Sequence, residues 1–231
     1  MTVFKYSLRR GLVKPTSIIF NMVLPILMMV MSNEESFAMV GGRAFFFLSF
    51  LLLFGGFMMA GGIQADKLDG VTVRILAGPI TFRSYLIGNF FAGMVPMVVL
   101  CAILGGIGFV RFDWTMTFTG LVVLVLTLVS AVSIGMSFVW SCLFKDKEAS
   151  LSGISVVLTM TALLGGFMMP LQILPTVPYY IGMATPAHWA SRAMEQLIAY
   201  GEFTNMYWLG ILAIGMFTVA FVLYGSKRRL V

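Results

Sequence analysis

Charge is what this sequence has least of. Asp, Glu, Lys and Arg supply 10% of its 231 residues, against about 25% in a soluble domain. Polar side chains are then too few to cover an apolar core in water, so lipid must solvate most of the chain. Histidine occurs once and cysteine twice. Cys101 and Cys142 fall inside apolar stretches without CxxC spacing and read as small buried hydrophobes, not as a disulfide or a metal pair. The dipeptide Gly-Lys never occurs, which removes any GxxxxGK[ST] loop for nucleotide phosphates. Leu151-Ser152-Gly153 has the look of an ATPase signature but lies in an apolar run and lacks the rest. His188 stands without a GxSxG motif, so no nucleophile triad is visible. A net charge of +6 does not point to nucleic acid, because the cations punctuate the ends of hydrophobic runs instead of gathering on one domain.

What is present is apolarity: 60% hydrophobic residues, with 21 Phe, 19 Met and 24 Gly. Six apolar segments are bounded by charge or turn residues: Ser17–Ser32 with Pro25 inside, Ala44–Ile63, Tyr85–Phe109 with Pro96 inside, Phe118–Phe144, Ala149–Met169 and Met206–Tyr224. A helix needs roughly 20 residues to cross hydrocarbon; the first segment is short and borrows its flanks. Backbone in lipid must satisfy its own hydrogen bonds, which makes these segments helices, and continuous apolarity excludes the alternating strands of a barrel. The expected fold is an all-α integral membrane protein of six transmembrane helices, with residues 1–231 forming a single transmembrane domain.

With both termini in the cytoplasm, Lys5, Arg9, Arg10, Lys14, Lys67, Arg74, Arg83, Lys145, Lys147, Lys227, Arg228 and Arg229 lie inside. Only Arg43, Arg111 and Arg192 lie outside, so twelve of the fifteen cations are internal and the positive-inside rule sets the orientation. The first segment follows a basic start, as in a signal peptide, but no A-x-A site follows and Ser32-Asn33-Glu34-Glu35 is a poor cleavage region; a retained span is expected. Ahead of it, Phe4, Leu8 and Leu12 recur every four residues beside Lys5, Arg9 and Arg10, and Pro15 closes the pattern. This reads as an amphipathic helix in the inner interface, or else as a disordered basic tail.

No apolar core holds Asp, Glu, Lys, Arg or His. Ion-coupled transporters place such groups at depth as proton relays or cation ligands, so coupling to an ion gradient lacks its usual machinery, although backbone carbonyls at a broken helix bind sodium in some transporters. Small residues do occur in the spans: Gly55, Gly56, Gly61 and Gly62, then Gly88, Gly93, Gly105 and Gly106, then Ala131 with Gly135 and Ser133 with Ser137. Such spacing brings helix backbones close, with a lining role for some hydroxyls left open.

Two loops are informative. Between the second and third spans, Leu68, Val71, Ile75 and Leu76 fall on one helical face, Lys67 and Arg74 fall opposite, and Gly78-Pro79 ends the helix. A short amphipathic helix tied to two spans is suited to receive a push from a soluble partner; equally, it could rest on headgroups. Before the last span, residues 170–205 contain Pro170, Pro175, Pro178 and Pro186 yet remain apolar. They predict a re-entrant helical hairpin in the outer leaflet between helices 5 and 6. Thr185-Pro186 begins its second helix and Gly201 ends it. On that helix His188, Arg192 and Glu195 share a face, either as a solvated stripe with an Arg–Glu pair or as a polar gate at the outer mouth of a pathway.

At these loops the chain resembles the type-2 ABC exporter permeases. Asp66, Gly70, Ile75, Leu76, Pro79 and Gly88 are similar to that family's cytoplasmic acidic–Gly–leucine–small–Pro pattern. Gly165-Gly166-Phe167-Met168-Met169-Pro170-Leu171-Gln172-Ile173-Leu174-Pro175, with Pro186, is similar to its Gly-rich end of the fifth span and following Pro-x-x-x-Leu-Pro run. The resemblance implies a plasma-membrane permease that works with a second permease, identical or homologous, and with two ATPase subunits. ATP and magnesium would bind the ATPase and no cofactor this chain. It also implies that residues 66–78 form the coupling helix, with Asp66, Lys67, Leu68, Asp69, Val71, Arg74, Ile75, Leu76 and Pro79 in or beside it. Pro170, Pro175, Pro186, His188, Arg192 and Glu195 would belong to the outer gate. The family usually has Glu at the start of the coupling segment; here Asp66 and Asp69 are both available. Two further function classes remain, a non-transporting membrane scaffold or immunity protein and an intramembrane enzyme. For the exporter reading, Phe and Met suit a hydrophobic or amphipathic cargo such as a drug, antibiotic, peptide or lipid-like compound.

Overall fold

The computed structural model describes residues 2–13, 19–32, 43–68, 70–77, 81–143, 147–200 and 204–227. All regular structure among them is helical. In chain order we label α1 Thr2–Val13, α2 Leu24–Met31, α3 Arg43–Leu68, α4 Val71–Leu76, α5 Phe82–Arg111, α6 Met116–Leu143, α7 Lys147–Leu164, α8 Thr176–Met183, α9 Pro186–Tyr200 and α10 Asn205–Lys227. α5, α6 and α10 are long and apolar enough to cross a bilayer. The other predicted spans coincide with shorter apolar helical stretches among the described residues, Asn21–Met31, Ala44–Met58 and Ser152–Leu164.

Local chemistry accounts for the ends of these helices. Pro25 lies in the first turn of α2 and has no N–H to donate one turn back, and the chain just before it, Ile19–Val23, widens into a π-helical turn. α3 runs five residues past the predicted span end at Ile63 because nothing between Ile63 and Leu68 breaks a helix. Thr81 caps α5 by accepting from the Ser84 amide at 3.3 Å. α7 stops at Leu164, short of the expected Met169, in a Schellman arrangement: the Phe167 amide donates to Ala162 O at 2.9 Å and the Gly166 amide to Leu163 O at 3.4 Å. That motif needs a left-handed residue, and Gly166 has φ +93°.

α6 is the hub, packed by α3, α5, α7, α9 and α10. The apolar stretch of α6 is 67% buried, against 39% for α5 and 22% for α10, which leaves the latter two to face lipid. Its stripe of Ser130, Ser133, Ser137 and Ser141 is buried. Three of these hydroxyls donate to carbonyls one turn back on α6, and that of Ser133 crosses to Leu53 O on α3. A Cβ on Gly56 would come within 2.7 Å of the Ser133 Cβ, so the small residues are where α3 and α6 touch. In α6, then, the serines pack. On its other side the Tyr207 hydroxyl of α10 donates to Leu121 O at 2.9 Å. Where α3 begins and α5 ends, Trp114 stacks on Phe45 at 5.3 Å and meets Phe118 edge-on at 5.3 Å.

Candidate functional site

The expected coupling segment is not one helix. α3 continues through Asp66, Lys67 and Leu68, and Gly70, at φ +68°, breaks the chain before α4 restarts at Val71. The break arises because a left-handed residue cannot continue an α-helix and Gly takes that conformation at the least cost. Asp69 and Pro79 lie outside the described residues, and for Lys67, Leu68 and Leu76 only the backbone is described. On α4, Val71 and Ile75 are half-buried and Arg74 is exposed, as the amphipathic pattern predicts; Thr72 is buried beside them.

Asp66 occupies a different position from a surface contact residue. It is 5% exposed, and its carboxylate accepts from the Tyr85 hydroxyl at 2.6 Å. The polar chain goes on from there. Asn89 Nδ2 donates to Tyr85 O at 2.9 Å, and Asn89 Oδ1 accepts from Ser7 Oγ of α1 at 2.7 Å. The end of α3, the first turns of α5 and the N-terminal helix are thus linked by hydrogen bonds that are buried at Asp66, Tyr85 and Asn89 and partly buried at Ser7. An elbow carrying α4 is thereby fixed to two long helices. Tyr85, Asn89 and Ser7 were missed in the sequence because attention to titratable groups passes over neutral amides and hydroxyls. An Asn inside an apolar run was the available signal.

The hairpin before α10 is built on close backbone approach. A Cβ on Gly165 would come within 2.3 Å of the Ala187 Cβ, and one on Gly182 within 2.3 Å of Leu164 O. Ser191 Oγ donates to Gly165 O at 2.6 Å. Pro170 precedes a short 3-10 turn, Leu171–Ile173, Pro175 precedes α8, and Pro186 begins α9, buried. Thr185 Oγ1 turns back to donate to Gly182 O at 2.7 Å, binding the expected cap residue to α8. α9 ends at Tyr200, next to the expected stop.

His188, Arg192 and Glu195 do share one face of α9, and the first arm of the hairpin lies on it. His188 is only 1% exposed, which removes the solvated-stripe reading for this residue. Its ring meets Tyr179 of α8 edge-on at 5.2 Å. Arg192 donates to the Tyr179 hydroxyl and lies 5.9 Å from the ring centroid, and Glu195 accepts from Gln172 Nε2 at 3.0 Å. Burial, aided by the positive charge of Arg192, lowers the His188 pKa from its ordinary 6.5. Burial raises that of Glu195 from 4.5, opposed by the Gln172 bond and by Arg192. Sequence reasoning found these three residues but not Gln172 and Tyr179, because contacts across a hairpin have no local periodicity. Nearby, a cavity of about 640 Å³ opens between the end of α2, the start of α3 and the turn after α7; Met28, Phe46, Phe47, Met168 and Met169 are among its lining.

Polar side chains at an elbow and at a hairpin of a helical membrane protein are placed where a transport component moves. The chain belongs to the ABC-2 family transporter proteins, whose family description matches residues 18–225. It is therefore a multi-pass membrane subunit of an ABC transporter, a family that works with an ABC ATPase. No curated protein matches the chain.

Proposed function

We propose that this chain is the permease subunit of an exporter for hydrophobic or amphipathic compounds, in a complex with two ATPase subunits and a second permease, identical or homologous. In this reading it crosses the plasma membrane six times with both termini in the cytoplasm. ATP and its magnesium bind the partner subunit, and the segment from Asp66 to Pro79 receives the stroke. The observation that carries the reading is the elbow: Asp66, buried and bonded to Tyr85, ties the end of α3, just ahead of α4, to α5, while Arg74 on α4 stays exposed to meet a partner. A lever of this kind transmits force because it cannot rotate independently of the spans.

Two features support the export path. The apolar cavity with its Met and Phe lining offers adaptable contacts to apolar cargo. On α7, Ser152, Ser155 and Val156 are exposed, with Thr159 one turn on; hydroxyls presented outward from an apolar helix suit a wetted face shared with a second permease. The re-entrant hairpin of α8 and α9 would close the outer side of that path, with Pro170, Pro175, Pro186, His188, Arg192 and Glu195 in it.

The test is co-purification with an ABC ATPase subunit from the same organism, together with cargo-stimulated ATP hydrolysis. Arg74→Glu should cut ATPase association by roughly tenfold, the weight of about 1.4 kcal/mol at a charged contact, while the permease remains folded. Unaltered association and unaltered stimulated hydrolysis would remove α4 from the interface.

A further inference from the structure

The amphipathic N-terminal helix has a position that the transport reading does not use. α1 packs on α5, pinned there by the bond from Ser7 Oγ to Asn89 Oδ1. Between the two helices a groove of about 570 Å³ opens, with a lining that includes Phe4 of α1 and Phe90, Phe91, Met94, Val95 and Val98 of α5. On α5, Phe91, Val95 and Val98 recur at i, i+4 and i+7 and are exposed, so a continuous apolar strip runs along the helix. From Phe90 to Val98 this strip extends roughly 12 Å at 1.5 Å per residue.

The helices that wall the groove also carry exposed cations. Lys5, next to Phe4, and Arg9, one turn further, are both exposed. Arg83, in the first turn of α5, is exposed too, and α1 contains no acidic residue. An apolar groove walled by a helix that has exposed cations and no acidic residue matches a molecule with a long hydrocarbon tail and a negatively charged head. We propose that the α1–α5 groove is a binding site for an anionic phospholipid. One acyl chain lies on Phe91, Val95 and Val98, and the phosphate head lies at Lys5 and Arg9. A neutral lipid would gain the same apolar contacts without the charge, so headgroup selectivity separates this site from ordinary lipid solvation. Two cations at the surface give an expected preference of roughly tenfold or more.

Native mass spectrometry of the full chain in detergent, titrated with phosphatidylglycerol and with phosphatidylcholine, reads this directly. The wild type should retain phosphatidylglycerol over phosphatidylcholine by roughly tenfold. Lys5→Gln with Arg9→Gln should abolish the preference while leaving chain binding in place. Val95→Trp, which fills the groove, should lower retention of both lipids. Equal retention of the two lipids by wild type, or an unchanged preference in the double Gln variant, would overturn the proposal. So would wild-type retention in a folded Val95→Trp variant, or a shift of that variant from dimer to monomer, which would assign the face to a second copy of the chain. If Val95→Trp fails to fold, Phe4→Ala on the small helix decides: it should weaken retention of both lipids, and full retention counts against the site.

Discussion

The Tyr85 hydroxyl and the Asp66 carboxylate show how much one bond can decide in this chain. Taking one donor away from a buried carboxylate costs at least about 1–3 kcal/mol. Tyr85→Phe should therefore lower the unfolding temperature in detergent, and it should reduce ATPase stimulation more than that loss alone explains, because the end of α3 that leads into α4 would be freed from α5. Equal stimulation at equal folded fraction would show the bond to be structural only. At Gly165 the relevant quantity is space. A methyl group there would come within 2.3 Å of the Ala187 Cβ, and overpacking of this kind costs about 1–3 kcal/mol. Gly165→Ala should push α9 away from the end of α7, seen as faster amide exchange through residues 190–194. Neither contact partner could be read locally: Asp66 and Tyr85 were visible as residues, but their pairing depends on how α3 meets α5.

Among the elements, the hairpin carries chemistry that depends on pH. His188 faces Tyr179 of α8 and shares its own helix with Trp189 and Arg192. Its folded pKa is lowered from 6.5, so its share of hairpin stability is present above that value and is lost as pH falls toward the folded pKa. The raised pKa of Glu195 works in the other direction: its share is present below 4.5 and is lost as pH rises through the folded value. The His188 share alone should weaken amide protection of α8 and α9 between neutral pH and about pH 5, so in a Glu195→Gln background protection should drop over that range, and adding His188→Gln should remove most of that drop. An undiminished drop in the variant would place the titration elsewhere. The hairpin's helices and prolines were legible from turn chemistry, as was the shared face of His188, Arg192 and Glu195. What covers that face was not, because Gln172 and Tyr179 come from a different arm. The elbow gives the same lesson: the amphipathic pattern over Val71–Ile75 was readable, but the unbroken continuation of α3 to Leu68 and the break at Gly70 emerged only in the structure.

Across the whole molecule, the apolar cores of the six predicted spans contain no Asp, Glu, Lys, Arg or His, and α6 is enclosed by its neighbours. Vesicles containing this chain alone should show no uphill accumulation of cargo under a proton or sodium gradient, and vesicles with its ATPase should require ATP. Accumulation driven by the gradient alone would refute an external motor. The sequence by itself determined the solvent, the helical class and the approximate limits of the apolar segments, because hydrocarbon permits few ways to satisfy a backbone and charge is too scarce to conceal. It also marked both loops, since proline, glycine and charge spacing act locally. Only the tertiary structure decided that α6 is the hub, that its serines pack, that Asp66 is buried, and that α1 rests on α5. Each of those outcomes depends on which helices become neighbours, and in lipid that choice follows shape and hydrogen-bond matching between distant segments, information that no single segment contains.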